Sequence, residues 1–194
     1  MAMTPSTMLD LGTTLPAFSL PDYNGTVVSD TALADAKGLL VVFVSVHCPF
    51  VKLIQEELGR FGGEYGPKGL ALVAVGSNDL ATHPQDGPDG MRGQATDHGW
   101  TFPYLVDRDQ AFAKACKAAC TPDFFLFDGK RRLVYRGQFD DARPGKNVPV
   151  TGKDLRAAVD LLLAGQAIPT GQTPSIGCNI KWKPGNEPAY FGIQ

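Results

Sequence analysis

Gly38-Leu39-Leu40-Val41-Val42-Phe43-Val44-Ser45-Val46-His47-Cys48-Pro49 is the stretch on which the fold turns. Leu39 to Val44 is an unbroken apolar run rich in β-branched residues, the pattern of a strand buried on both faces. Beyond Pro49, residues Phe50, Ile54, Leu58, Phe61 and Tyr65 recur every three or four positions, with Gln55, Glu56, Glu57 and Arg60 elsewhere. That spacing draws one apolar face of a helix, and Gly62-Gly63 and Gly66-Pro67 supply its stop signal.

The same alternation continues outward. Leu70 to Val75 reads as a second buried strand, Pro88 to His98 as a helix, Phe102 to Val106 as a short strand and Gln110 to Ala118 as a short helix. Phe124–Phe127 and Leu133–Arg136 are strands joined through Asp128-Gly129-Lys130-Arg131, a hairpin turn. The basic run Lys130-Arg131-Arg132 falls there and reads as a solvated turn. Leu155, Ala158, Val159, Leu162 and Leu163 mark a last amphipathic helix. Upstream, the apolar pieces around Phe18 and Val27 flank Asn24-Gly25, an N-terminal hairpin, and Asp30 is placed to cap a short helix reaching Ala36. From Gly165 the chain becomes rich in Pro and Gly. Its Ile176, Ile180, Trp182, Tyr190 and Phe191 predict a tail packed on the body rather than a free one.

These elements predict an α/β fold with a parallel core made by right-handed crossovers and an antiparallel edge. Residues 1–164 form one domain and 165–194 a packed tail. Composition agrees: 194 residues, 43% hydrophobic and 20% charged, are values of an ordinary globular chain. A net charge of -2 lacks the basic excess expected of a nucleic-acid partner. The longest apolar run, Gly38 to Val44, is too short to span a bilayer. Met1 to Leu20 has no Lys or Arg and does not read as a secretory signal, so the expectation is a cytoplasmic protein with no membrane partner.

In open α/β sheets ligands gather at the carboxyl ends of the strands, and there lie Ser45, His47 and Cys48. Either Ser45 or Cys48 can be the N-cap of the helix, with Pro49 in its first turn. Both readings hold the sulfur near unpaired N–H groups and the positive end of the macrodipole, which favour a thiolate. Ser45, three residues earlier, shares a face with Cys48 if that turn is helical, and its hydroxyl then donates to the sulfur. His47 is adjacent in sequence and does not face Cys48 on a helix, but a protonated imidazole would raise the local positive potential. Thr121-Pro122, just before the Phe124 strand, is a position for a cis bond turning the chain beside the site. His47, His83 and His98 show no metal-ligand spacing with the cysteines, so no metal is expected, and no cofactor either.

Three segments carry a resemblance: His47-Cys48-Pro49-Phe50-Val51-Lys52, then Thr121-Pro122-Asp123-Phe124-Phe125-Leu126-Phe127-Asp128, then the tail Gly177-Cys178-Asn179-Ile180-Lys181-Trp182-Lys183-Pro184-Gly185-Asn186-Glu187-Pro188. With the opening Leu15-Pro16-Ala17-Phe18-Ser19-Leu20-Pro21-Asp22, the chain resembles the thioredoxin-like superfamily. Within it, the likeness is to the alkyl hydroperoxide reductase and thiol-specific antioxidant branch, and to a peroxiredoxin-like thioredoxin-family group. The resemblance implies a thioredoxin-like fold with a central mixed sheet flanked by helices. It implies an antioxidant-type oxidoreductase using a single active-site cysteine, Cys48, on a protein disulfide, a small disulfide or a peroxide, with a thiol reductant; the alternatives are a weak peroxiredoxin-like thiol peroxidase and a non-catalytic binding module of the same fold. Two departures stand out. The group's Cys-x-x-Cys is Ser45-Val46-His47-Cys48 here, so the local dithiol cannot form. The activating Arg of peroxiredoxins falls at Pro122, where thioredoxins place a cis-proline. A resolving thiol must then come from Cys116, Cys120, Cys178 or outside. The resemblance places Cys120, two residues before Pro122, near Cys48 and makes it the first candidate. Cys116 reads as packing, and Cys178 as packing or as a tail thiol folded back over the site.

Overall fold

The run Leu39–Val44 has no exposed surface at all. In the computed structural model, which describes residues 3–192, it forms the middle of a five-stranded sheet. In chain order the strands are β1 (Met3–Pro5), β2 (Ser19–Pro21), β3 (Val27–Ser29), β4 (Gly38–Phe43), β5 (Leu70–Gly76), β6 (Tyr104–Val106), β7 (Cys120–Thr121), β8 (Asp123–Asp128), β9 (Leu133–Gly137) and β10 (Ile176–Asn179). The α-helices are α1 (Pro49–Tyr65), α2 (Pro88–Asp97), α3 (Ala111–Ala115) and α4 (Lys153–Leu163). The main sheet has the order β6-β5-β4-β8-β9, with β4, β5 and β6 parallel and β8 and β9 antiparallel to their neighbours. This is the mixed sheet of the thioredoxin-like fold.

Strand pleat divides the core. Leu40, Val42 and Val44 point to the layer containing α1, α2 and α4, while Leu39, Val41 and Phe43 point to α3, the N-terminal segment and the tail residues Ile180 and Trp182. Each fully buried Leu, Val or Phe contributes roughly 1.5–3 kcal/mol of apolar transfer. That is why a single strand with two apolar faces organises both layers.

Several local expectations change. Gly62 does not stop α1, which runs on to Tyr65. A Cβ at Gly62 would lie 2.5 Å from the Phe102 ring, so this glycine lets the segment entering β6 pass against the helix. Asp30 does not cap a helix: its carboxylate accepts from the Phe18 N–H at 3.2 Å, and only a 3-10 turn, Thr31–Leu33, follows. Nor is the basic turn simply solvated. Arg132 donates to Gly12 O and to Thr14 Oγ1 at 2.8 Å, and Arg131 donates to Leu33 O, so two of the three side chains clasp the N-terminal segment. The hairpin near Asn24 is present as β2 and β3.

In the tail Ile180 and Trp182 are buried, whereas Phe191, expected to pack, is 46% exposed. Ile176–Asn179 is a strand, not anticipated from sequence, that sits between β1 and β7 in a second, three-stranded sheet. Periodicity over four residues with a central glycine is too short to announce a strand, and its partners are two equally short pieces.

No helix among the described residues is long and apolar enough to cross a membrane.

Candidate active site

Register brings the site together. Phe43, the last residue of β4, pairs with Asp123, the first of β8. The chain leaving β4 toward Cys48 therefore lies beside the chain entering β8 through Thr121 and Pro122, although 73 residues separate Cys48 from Thr121. The Thr121–Pro122 bond is cis.

Of the two helix starts open to the sequence, the structure takes the second. Cys48 is the N-cap, extended at φ -67° and ψ 122°, and Pro49 is the first helical residue. Residues 45–48 are thus not a helical turn, and the expected donation from Ser45 to the sulfur is replaced. Ser45 Oγ lies 3.4 Å from Thr121 Oγ1, and the Thr121 hydroxyl is one of the groups, after the Cys178 thiol, that favour the Cys48 thiolate. Ser45 can orient Thr121, so its influence on the sulfur is indirect.

The Cys48 thiol is pulled down from its ordinary value to about 5. The largest cause is a hydrogen bond from the Cys178 thiol. Burial opposes the shift, and the Thr121 hydroxyl, the Val51 N–H and the Cys178 N–H add to it. Val51 is the third residue of α1, so its N–H is one of the unpaired donors at the helix start. When protonated, Cys48 donates to the Thr121 carbonyl at 3.1 Å. The partner Cys178 is pushed up, first by that contact and then by burial. Neither sulfur is open to solvent: Cys48 is 0% and Cys178 2% exposed. The carboxyl end of β4, where the sequence leads one to expect a ligand, is therefore closed over the sulfur. The tail strand seals it, and the adjoining cleft lined by Phe50, Pro122, Phe139 and Ile176 has a free volume of about 20 Å³, room for a water but not for a substrate.

Cys120, the first candidate for a resolving thiol, lies close by but does not meet Cys48 through its side chain. The reason is strand alternation. Thr121 pairs with Cys178 and Cys120 pairs with Asn179. Directly opposed residues share a face and neighbours point apart. Thr121 and Cys178 therefore face Cys48, while Cys120 turns away and contacts Pro122 O at 3.5 Å. Burial pushes the Cys120 and Cys116 thiols well up, and nearby Asp123 adds to both shifts. No two of the four cysteines are joined in a disulfide.

His47 is held away from the sulfur. Its Nδ1 lies 2.7 Å from Asp86 Oδ2, and its ring stacks on His83 at 4.6 Å. Asp86, buried in the loop before α2, also accepts from the Val46 N–H at 2.8 Å and the His47 N–H at 3.1 Å, and Asn78 Nδ2 donates to it. One carboxylate thus fixes the backbone on the approach to Cys48. Sequence reading missed Asp86, because a lone aspartate in a polar loop carries no local signal of so many partners. Among the described residues no group of three or more His, Cys, Asp or Glu is arranged to hold a metal ion.

Comparison with known proteins adds the family. The Redoxin family profile matches residues 10–155, which contain Cys48, Thr121 and Pro122. The chain belongs to the Redoxin family. This redoxin is a member of the thioredoxin-like superfamily, with a thioredoxin-like redox role. It is 52% identical to a hypothetical protein from Sinorhizobium meliloti 1021, whose crystal structure matches with a TM-score of 0.91 over 93% of this chain and 98% of that one. It is 47% identical to an uncharacterized conserved protein from Geobacillus kaustophilus, with a TM-score of 0.92 over 95% and 98%. A putative thiol:disulfide interchange protein DsbE from Chlorobium tepidum shares the fold at 21% identity, with a TM-score of 0.63 over 80% and 99%. No curated protein matches. The family match ends at residue 155 and omits the tail strand that carries Cys178, whereas the first two structures match through nearly the whole chain.

Proposed function

We propose that this chain is a thiol–disulfide oxidoreductase that acts through the Cys48 thiolate. One observation carries the reading: a sulfur at a helix N-cap is held mainly as thiolate near neutral pH by thiol, hydroxyl and backbone N–H donors. The thiolate is the attacking form in disulfide exchange. A leaving thiol needs no special polarisation, so a site built from such donors suits a disulfide. Peroxide is less well served. Arg143, the guanidinium at the adjoining cleft, spends its donors on Gln138, Asp140 and Ala142.

In this reading Thr121 donates to the thiolate, Ser45 orients Thr121, and His47 with Asp86 fixes the loop that presents the sulfur. Pro122 flanks the site, and an external thiol returns the enzyme to its reduced form. The test is turnover of insulin disulfides with dithiothreitol as donor. The wild type accelerates reduction and Cys48→Ser does not. Equal rates for the two would overturn the proposal. Hydrogen peroxide consumption faster than that of free cysteine, without insulin reduction, would favour a thiol peroxidase instead.

A further inference from the structure

We propose that Cys178, carried on the tail strand β10, is the resolving thiol of a Cys48–Cys178 redox pair. This rests on the reading of Cys48 as the nucleophile and supplies the second thiol that Ser45 denies to the local motif. Three independent features place Cys178 there. The ladder register sets it opposite Thr121, whose carbonyl lies 3.1 Å from Cys48 Sγ. Cys178 and Cys48 pack in the same core cluster, on the α1 side of the sheet. Gly177 allows β10 to come this close, since a Cβ there would lie 2.0 Å from the Thr121 carbonyl oxygen. No side chain could flex away from that clash, because the obstacle is backbone.

The chemistry balances within this pair and a disulfide substrate. Cys48 thiolate attacks one sulfur of R–S–S–R′. A Cys48–S–S–R bond forms, the substrate bond breaks, and R′S⁻ leaves and takes a proton from water. Cys48 is now neutral and no longer demands the Cys178 proton. The contact that most raises the Cys178 thiol is thereby removed, and Lys181, which acts in the opposite direction, remains. Cys178 then attacks the Cys48 sulfur, its proton passes to the departing RS⁻, and a Cys48–Cys178 disulfide is left. The substrate gains two electrons and the cysteine pair loses them. An external thiol reverses the last oxidation.

Burial adds a mechanical requirement. Since Cys48 has no exposed surface, an incoming disulfide must displace β10, and the strand's return delivers Cys178. The strand has four residues and, among the described residues, pairs only with Met3–Pro5 and Cys120–Thr121, a short ladder of the kind that opens locally.

The experiment is a single turnover with the aromatic disulfide 5,5′-dithiobis(2-nitrobenzoate), followed by peptide mapping. Wild type should release two equivalents of the coloured thiolate at the site and end as a Cys48–Cys178 disulfide without adduct. Cys178→Ser and Cys178→Ala, each checked for a native circular dichroism spectrum, should release one equivalent and retain the aromatic group on Cys48. Release of two equivalents by both variants, or a mapped Cys48–Cys120 bond in the wild type, would overturn the assignment while leaving Cys48 as nucleophile. If wild type and Cys48→Ser reacted alike, the proposed function itself would fall with it. Direct mapping of the wild type after mild oxidation keeps the test valid should either variant fail to fold.

Discussion

Two sets of buried thiols behave differently: Cys48 is pulled down beside a Cys178 that is pushed up, whereas Cys116 and Cys120 are both pushed up. Cys48 and Cys178 lie on the α1 side of the sheet, Cys116 packs on the opposite side, and Cys120 lies next to the first pair with its thiol turned to Pro122 O; none is more than 2% exposed. Burial alone pushes every thiol toward the neutral form. At Cys116 nothing offsets it, at Cys120 only the charge of Arg143 does, and Asp123 reinforces it at both. At Cys48 a thiol, a hydroxyl and backbone N–H donors converge and reverse the sign. Thiolate character in this fold is therefore set by where donors point and not by exposure. The pointing is set in turn by one helix start and one strand register.

The comparison is broken most severely by removing its reactive member. Cys48→Ser should abolish disulfide turnover, a loss of at least about a thousandfold, the scale of losing a nucleophile. Cys116→Ala should keep turnover within about twofold. Insulin reduction measures both.

A backbone change should come next. Gly177→Ala forces β10 off Thr121 and should destabilise the protein by about 1–3 kcal/mol, the usual cost of overpacking. The Cys178 donor moves away with it, so the pH midpoint of Cys48 alkylation should rise. Denaturant titration gives the first effect and pH-resolved alkylation the second. An unchanged midpoint with lowered stability would mean that the strand does not shape the site.

Thr121→Val is subtler. It deletes one donor and keeps the shape, so the Cys48 midpoint should move up from about 5. At pH 5, alkylation should slow by up to about tenfold, the size of a one-unit change. At pH 9 the rates should match.

A last test turns on Asp123, beside Cys116 and Cys120. Burial raises the Asp123 carboxyl from its ordinary value to about 7, against hydrogen bonds from nearby groups. A carboxyl with a raised folded-state pKa binds more protons folded than unfolded. It therefore costs stability as pH rises from about 4 to 7 and leaves stability flat above that window. Cys48 works in the opposite sense. Its folded-state pKa is depressed, so its contribution is complete above its unfolded value near 9 and is lost as pH falls toward 5. Asp123→Asn should flatten the loss between pH 4 and 7, read from urea midpoints. No change in slope would contradict the burial argument.

Much of this was legible in the sequence because it rests on contiguous patterns. Leu39–Val44 announced a strand buried on both faces, and its two core layers follow from that alone. Cys48-Pro49 announced a thiol at a helix start. What stayed hidden was long-range register. Nothing local says that Cys178 opposes Thr121 and that Cys120 does not, because a shift of one residue in a two-residue strand exchanges them. Asp86 was hidden for the same reason, since its partners lie about 40 residues upstream. Gly62 misled because a close approach by Phe102 looks, in one dimension, like a helix stop.

The most direct measurement is the pH dependence of alkylation at each cysteine, resolved by mass spectrometry on the intact fold. The account predicts that Cys48 reacts with a midpoint near 5 while Cys116 and Cys120 stay unmodified up to pH 9. A Cys48 midpoint at the ordinary thiol value, or labelling of all three in parallel, would contradict it.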